Sequence, residues 1–265
     1  MVNLTPDDSA PKALILAAGK GVRMGGDLPK VLFPVQGKPM LWWVVRACQA
    51  AGVSQCVIVV GYKADLVREA MADQPNCLFV EQTQQLGTAH AARMAQPAFA
   101  NQPTCDVFVL AGDGPLIRPR TLQRLLELHR HNHAAATLAT AVLDDPTGYG
   151  RVLRHPDGSF AAIVEHKDAT PPQLAIKEVN PSYYCFRSDA FFAALQNVDN
   201  HNRQSEYYLT DVPAILQKKG HRVCLVDAVP PEDVLSINTP EQLEVVDRIL
   251  AARTARENEG MGSRL

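Results

Sequence analysis

Near the start of the chain three cations, Lys20, Arg23 and Lys30, stand around one glycine-rich loop, Leu16-Ala-Ala-Gly-Lys-Gly-Val-Arg-Met-Gly-Gly-Asp-Leu-Pro-Lys30. Glycines placed straight after an apolar run let backbone N–H groups approach and cradle phosphate oxygens. Fixed positive charge at the end of a strand suits a triphosphate whose departing pyrophosphate gains charge. The loop is not a Walker A sequence, because Gly-Lys is followed by Gly21 where a Ser or Thr would coordinate magnesium. Nor is it a dinucleotide fingerprint, since its third glycine is misplaced.

Two further segments carry groups fit for such a site. In Ala111-Gly-Asp-Gly-Pro115, Asp113 sits among small residues at the end of an apolar run. A carboxylate there caps the next helix or holds magnesium on phosphates, and the residues alone leave both readings open. In Gln82-Thr-Gln-Gln-Leu-Gly-Thr-Ala-His90, amide side chains precede a helix. Amides offer both donor and acceptor and can read a pyrimidine edge, although a plain helix N-cap is the simpler reading. His129-x-His131-x-His133 invites a metal reading, but i, i+2 spacing splays the rings apart, so solvated surface is expected. Trp42-Trp43 reads as core, and Asp144-Asp145, beside Pro146 and Gly148, as a turn.

The elements that must position these residues follow from apolar patterning. Residues 13–18, 56–61 and 106–111 are buried strands, and 77–80 a shorter one. Helical spacing covers 39–51, 65–72, 87–95 and 118–131. Strands alternating with helices predict an α/β fold, a doubly wound, mostly parallel Rossmann-like sheet. After residue 134 strand-like runs dominate, at 136–142, 150–153, 161–165 and 183–186, which predicts a mixed-sheet lobe continuous with the first. Helices return at 206–219 and 239–255. The expected organisation is a flexible N-terminus (1–11), a nucleotide-binding lobe (12–133), a second lobe (134–238), a closing helix (239–255) and a disordered tail (256–265).

The 265 residues, 46% hydrophobic and 20% charged, suit a soluble globular protein with a sizeable core. A net charge of -2 gives no reason to expect nucleic acid or a membrane surface as partner. No stretch resembles a signal peptide or a membrane span. The six scattered cysteines contain no C-x-x-C pair and read as reduced packing thiols, which fits the cytoplasm.

Taken together the segments resemble the pyrophosphorylase domain of bacterial N-acetylglucosamine-1-phosphate uridylyltransferases, within the sugar nucleotidyltransferase superfamily. The likeness rests on Leu-Ala-Ala-Gly-Lys-Gly-x-Arg-Met with Leu28-Pro-Lys30, on Gln85-Leu-Gly-Thr-Ala-His90, and on Gly112-Asp113 with Pro115-Leu-Ile117. It continues through Asp144-Asp-Pro-Thr-Gly-Tyr-Gly-Arg-Val152, Ile163-Val-Glu-His-Lys-Asp-Ala169, Glu178-Val-Asn180 and Glu206-Tyr-Tyr-Leu-Thr-Asp211. The resemblance implies that Leu16, Ala17, Ala18, Gly19 and Gly112 line the uridine and phosphate site, with Gln82, Gly87 and Thr88 reading uracil. It implies that Arg23 and Lys30 hold the phosphates, that Asp113 and Asn238 share a Mg²⁺, and that Gly150, Glu165 and Asn180 bind the sugar.

The implied reaction joins UTP to N-acetylglucosamine 1-phosphate, giving UDP-N-acetylglucosamine and pyrophosphate. Alternatives are the same reaction with glucose 1-phosphate or dTTP, or a silent nucleotide-sugar sensor, which would not need the complete metal set. Two departures from the family pattern stand out. Asn180 is followed by Pro181-Ser182 in place of a small hydroxyl residue and glycine, which removes an N–H. Ser236-Ile-Asn238 replaces Gly-Val-Asn but keeps the asparagine. The stretch after the last expected helix is too short for the acetyltransferase β-helix that commonly follows this domain, so a monofunctional relative or a truncated form is expected. The sequence does not set the oligomeric state.

Overall fold

Apolar runs without polar alternation must be covered on both faces, and the sheet they build here is covered in that way. The computed structural model describes residues 10–21, 24–25, 27–100, 102–226 and 229–262, the last six by backbone alone. Strand β1 (Lys12–Ala17) leads through the glycine loop to a short hairpin, β2 (Pro34–Val35) and β3 (Lys38–Pro39), and to helix α1 (Met40–Ala50). There follow β4 (Gln55–Val60), α2 (Ala64–Ala70), β5 (Cys77–Glu81), α3 (Thr88–Met94), the single turn α4 (Gln96–Phe99), β6 (Asp106–Ala111) and α5 (Pro119–His131). The next stretch holds β7 (Ala136–Ala139), β8 (Ala141–Val142), β9 (Gly150–Arg154), β10 (Phe160–Val164), α6 (Pro171–Leu174), β11 (Glu178–Asn180), β12 (Tyr183–Arg187) and α7 (Ser188–Leu195). Helix α8 (Val212–Lys218), β13 (Val223–Val226) and α9 (Pro240–Gly262) complete it.

A seven-stranded sheet runs in the order β13-β7-β12-β6-β1-β4-β5 and is parallel except for β12, which lies antiparallel between β6 and β7. Alternate residues of its central strands serve two cores. Ala13, Ile15, Ile58, Phe108 and Leu110 pack beneath α1, α2 and α5. Leu14, Val57, Val59, Val107 and Val109 pack against α3, α7 and α8. This is the doubly wound, mostly parallel sheet that the alternation predicts. The chain leaves β1 toward β4 on one side and comes back as β6 on the other. The ends of β1 and β6 therefore flank a topological switch point, where such sheets open a crevice.

The second half departs from expectation in instructive ways. The run 136–142 is two strands, broken at Thr140, whose N–H donates to Val226 and whose carbonyl accepts from Val229. On one side of the break β7 joins the large sheet; on the other β8 joins a four-stranded antiparallel sheet ordered β10-β9-β11-β8. Strands β7, β12 and β13 thus complete the first sheet, so the 134–238 segment is shared between both sheets.

Residues 206–208, expected as helix, instead pair their backbone with the turn before α3: Tyr207 N–H donates to Leu86 and its carbonyl accepts from Ala89. A single 3-10 turn at Leu209–Asp211 leads into the α-helix, which begins at Val212 with Pro213 in its first turn, where proline's missing N–H costs nothing. Helix α7 has apolar residues on every side and so shows no clear helical period. The closing helix reaches Gly262, seven residues past the expected end at 255, through a stretch of good helix formers such as Ala255 and Arg256. The expected tail is therefore helical as far as it is described. The hairpin carbonyl of Val35 receives Trp43 Nε1, and Trp42 packs edge to face on Trp43, both rings half-buried.

Candidate functional site

A cavity of about 520 Å³ opens where the central strands end. Its walls come from the loops after β1, β5 and β6, from Glu165 after β10, from Tyr184 on β12, from the 206–210 segment and from Asn238. Gly21 has φ +69° and lies against Lys30, where an added Cβ would come within 2.5 Å of the lysine Cβ. The glycine loop can turn over this lysine only without a side chain there.

Three distant residues meet at one point in this cavity. The Lys30 ammonium forms a close ion pair with Asp113 Oδ2 and donates to Asn238 Oδ1 at 2.8 Å. Asn238 Nδ2 donates to Ser236 Oγ at 3.3 Å, which fixes the oxygen of the amide toward the lysine. The loop that carries Asn238 is pinned on both sides. The fully buried Asp233 pairs with Arg118 at 2.7 Å and Arg253 at 2.5 Å, and Arg253 also donates to the Leu116 carbonyl. With its carboxylate fully buried and its two guanidinium groups half-buried, this ionic triad holds geometry more than it adds stability. It ties the Asn238 loop and α9 to the segment that follows Asp113.

Two oxygens that converge on one cation are the donor chemistry a hard divalent ion takes. Magnesium is usually held by one or two protein oxygens, with phosphates and water supplying the rest. Asp113 and Asn238 fit that description. Among the described residues no group of three or more His, Cys, Asp or Glu side chains gathers as a metal cage.

On the nucleotide side Leu16, Ala17, Ala18 and Gly19 all line the cavity, as do Gln82, Gly87 and Thr88. Gly112 lies just behind. Its N–H donates to the Leu16 carbonyl at 2.9 Å, and a Cβ there would stand 3.1 Å from that same oxygen, so it lets the ends of β1 and β6 close together. Gly87 has φ +114°, and a Cβ would meet the Tyr207 backbone at 2.5 Å. Thr88 Oγ1 accepts the Leu209 N–H at 2.9 Å, which fastens the 206–210 segment to the turn before α3.

On the opposite side Glu165 Oε1 accepts a hydrogen bond from Thr210 Oγ1 at 3.0 Å. Burial pushes the Glu165 carboxyl above its usual range, against the Thr210 hydrogen bond and with Asp168, Asp211 and Glu206 adding to it. Gly150 is buried beside it: a Cβ there would lie 3.7 Å from both carboxylate oxygens. Asn180 is placed one layer back. Its Nδ2 donates to Tyr184 Oη at 2.6 Å and its Oδ1 accepts the Ser182 N–H, and Tyr184 and Ser182 are the ones that line the cavity.

Four polar cavity residues, Tyr184, Ser182, Glu206 and Thr210, carry no expected role from the sequence, whereas Gln85 belongs to the amide segment already singled out. The signal existed in Glu206-Tyr-Tyr-Leu-Thr-Asp211, which carries the family likeness, but an expected helix gave no reason to aim its polar groups at the site. Of the three loop cations, Lys30 is in the cavity, Lys20 is exposed with its ammonium 5.2 Å from the centre of the Tyr62 ring, and Arg23 lies outside the described residues. The histidine triplet is corrected in one member. His131 and His133 are exposed, but His129 is 1% exposed on the inner face of α5, with Nδ1 3.0 Å from Thr137 Oγ1 and Nε2 3.5 Å from Asp106. Burial lowers its pKa, with Asp106 opposing. No helix among the described residues is long and apolar enough to cross a membrane. Cysteines Cys48, Cys56 and Cys185 are buried, whereas Cys77, Cys105 and Cys224 are only partly so, and all six are free thiols.

Residues 13–208 match the MobA-like NTP transferase domain family. Among curated proteins the chain is 43% identical over 244 residues to the bifunctional protein GlmU of Desulfotalea psychrophila, covering 92% of this chain and 71% of that protein. It is 42% identical to the protein of that name from Geobacter metallireducens and 43% identical to one from Bacillus cereus. Those matches cover 92% and 93% of this chain but only 51% and 53% of the relatives, so the chain spans about half their length.

Proposed function

The chain belongs to the MobA-like NTP transferase family and is a nucleotidyltransferase similar to the GlmU proteins, and from that premise we propose that it transfers a uridylyl group from UTP to N-acetylglucosamine 1-phosphate. The observation that carries the reading is the meeting of Asp113, Asn238 and Lys30 in the same cavity that Glu165 and Tyr184 line. One part of the site is suited to phosphates and a cation, the other to hydroxyls and an amide.

In this reading the sugar phosphate oxygen attacks the α-phosphorus in line and pyrophosphate leaves. A phosphate monoester is already a competent nucleophile near neutral pH, so no general base is needed. Positioning and charge neutralisation supply most of the catalysis. Asp113 and Asn238 would hold Mg²⁺, which when bound neutralises charge on the phosphates. Lys30 and Arg23 hold phosphate oxygens, Leu16 to Gly19 form the floor under the nucleotide, and Gln82, Gly87 and Thr88 read the base. Glu165 and Tyr184, braced by Asn180, receive the sugar beside Gly150. Free thiols and nucleotide substrates fit the cytoplasm, where we place the protein.

One observation favours a different hexose. Pro181 offers no N–H beside Asn180, so a donor to the sugar is missing at that position. Pyrophosphate release measured over a panel of sugar 1-phosphates and nucleoside triphosphates decides between the two. N-acetylglucosamine 1-phosphate with UTP is expected to exceed glucose 1-phosphate by about tenfold or more in kcat/KM, or roughly 1.4 kcal/mol. A ratio at or below one assigns another sugar to the same reaction.

A further inference from the structure

The Gln82 amide is held at one end. Its Nε2 donates to the Gly87 carbonyl at 3.2 Å and lies 2.9 Å from Nδ1 of His90 on the first turn of α3. A carbonyl only accepts, so the nitrogen end of the amide has to face Gly87. His90 Nδ1 must then offer a lone pair, which puts the ring proton on Nε2. Burial, with Arg93 adding to it and a backbone hydrogen bond at Gln84 opposing, holds the imidazole below its ordinary pKa, which favours the neutral ring. Gln82 itself is 3% exposed yet lines the cavity, and among the described residues no donor reaches its Oε1.

We propose that His90 is a positioning residue for base choice: with the Gly87 carbonyl it clamps the Gln82 amide so that only the oxygen is offered to the nucleotide base. The inference rests on the reading of Gln82 as a base-contacting residue. A fixed acceptor pairs with the ring N–H of uracil. Set against the ring nitrogen lone pair of cytosine, it leaves two acceptors facing each other and unpaired, which a buried site penalises. If His90 gained a proton on Nδ1, or were replaced by an apolar side chain, the nitrogen end of the amide would lose a partner. Only the 3.2 Å bond to the Gly87 carbonyl would then hold the amide, and Gln82 could swing away from this orientation and offer its NH₂, relaxing the choice. His90 touches no substrate in this scheme.

The test compares kcat/KM for UTP and CTP in the wild type and in His90→Leu, His90→Asn and Gln82→Ala. His90→Leu should lower the UTP-to-CTP ratio by about tenfold or more, and Gln82→Ala should lower it similarly. His90→Asn, whose Oδ1 stands near the place of Nδ1, should keep the ratio within about threefold of wild type, a rescue that a merely structural role would not give. An unchanged ratio in His90→Leu together with a fallen ratio in Gln82→Ala overturns the clamp and leaves base reading by Gln82 standing. An unchanged ratio in Gln82→Ala, or no preference for UTP in the wild type, removes that reading and the clamp with it. Nitrogen-15 NMR of the ligand-free protein at neutral pH reports the tautomer without any turnover: Nε2–H is expected, and Nδ1–H on His90 overturns the proposal.

Discussion

Two parts of one cavity are assembled by different forces. Lys30, Asp113 and Asn238 come from segments up to 208 residues apart and meet through charge, with an ionic triad around the buried Asp233 holding the last of them in place. Glu165, Thr210, Asn180 and Tyr184 meet through hydroxyl, amide and carboxyl hydrogen bonds, and burial raises the one carboxyl in the set. The difference follows the chemistry each part must do. Where charge grows during reaction, fixed charges placed beforehand lower the barrier. Where one hexose must be told from another, polar groups that stay unpaired with the wrong ligand do the sorting.

The largest effect should come from breaking the charged part. Asp113→Asn keeps the shape and removes the charge, and should cut turnover on the order of 10²–10³-fold, roughly 3–4 kcal/mol, at saturating Mg²⁺ with the fold intact by circular dichroism. Turnover near wild type would show that the carboxylate is not needed where charge develops. The sugar side should give a smaller loss of another kind. Glu165→Ala should raise KM for the sugar phosphate by about tenfold or more, as expected for a lost hydrogen bond to a charged group, with KM for UTP nearly unchanged. A matched rise in both would mean that the two sides are not separable.

The smallest effect concerns stability. Burial, with Asp199 and Asp168 adding to it, pushes Asp211 up to about 6 from a usual 3.8, on the carboxylate-rich side next to Glu165. Because the folded pKa is the higher one, the folded state holds this proton more tightly. Stability is unaffected below the unfolded value, falls as pH rises between the two, and stays reduced above about 6. A shift of this size amounts to about 3 kcal/mol in full and, with the group partly open to water, to about 1 kcal/mol. Asp211→Asn should therefore be about 1 kcal/mol more stable than wild type in urea melts near pH 8 and equal to it near pH 3. Equal stability at both would place Asp211 in ordinary solvent.

The contrast also explains what was legible in the sequence. Strands β1, β4 and β6 are fully covered, so their apolar runs mark them within a residue, and the loops that leave them bring Lys30 and Asp113 to the switch point. The sugar side is built differently. Residues 206–208 have helical spacing but pair with the turn at Leu86 and Ala89, and only that pairing aims Thr210 at Glu165. Tyr184 lies in an apolar strand that reads as core, and its hydroxyl meets Asn180 four positions earlier, across the turn at Pro181. Local pattern reveals elements whose burial is uniform. It does not reveal a polar group whose partner is chosen by tertiary pairing.

Uridylyl transfer itself is tested by following the α-phosphorus. UTP labelled at the α-phosphate is incubated with N-acetylglucosamine 1-phosphate, Mg²⁺ and the full chain, and products are separated in parallel with a reaction labelled at the γ-phosphate. The α-label is expected in UDP-N-acetylglucosamine and the γ-label in pyrophosphate, in equal amounts and at equal rates. Recovery of the α-label in free UMP, or no sugar-dependent release of the γ-label, would contradict it.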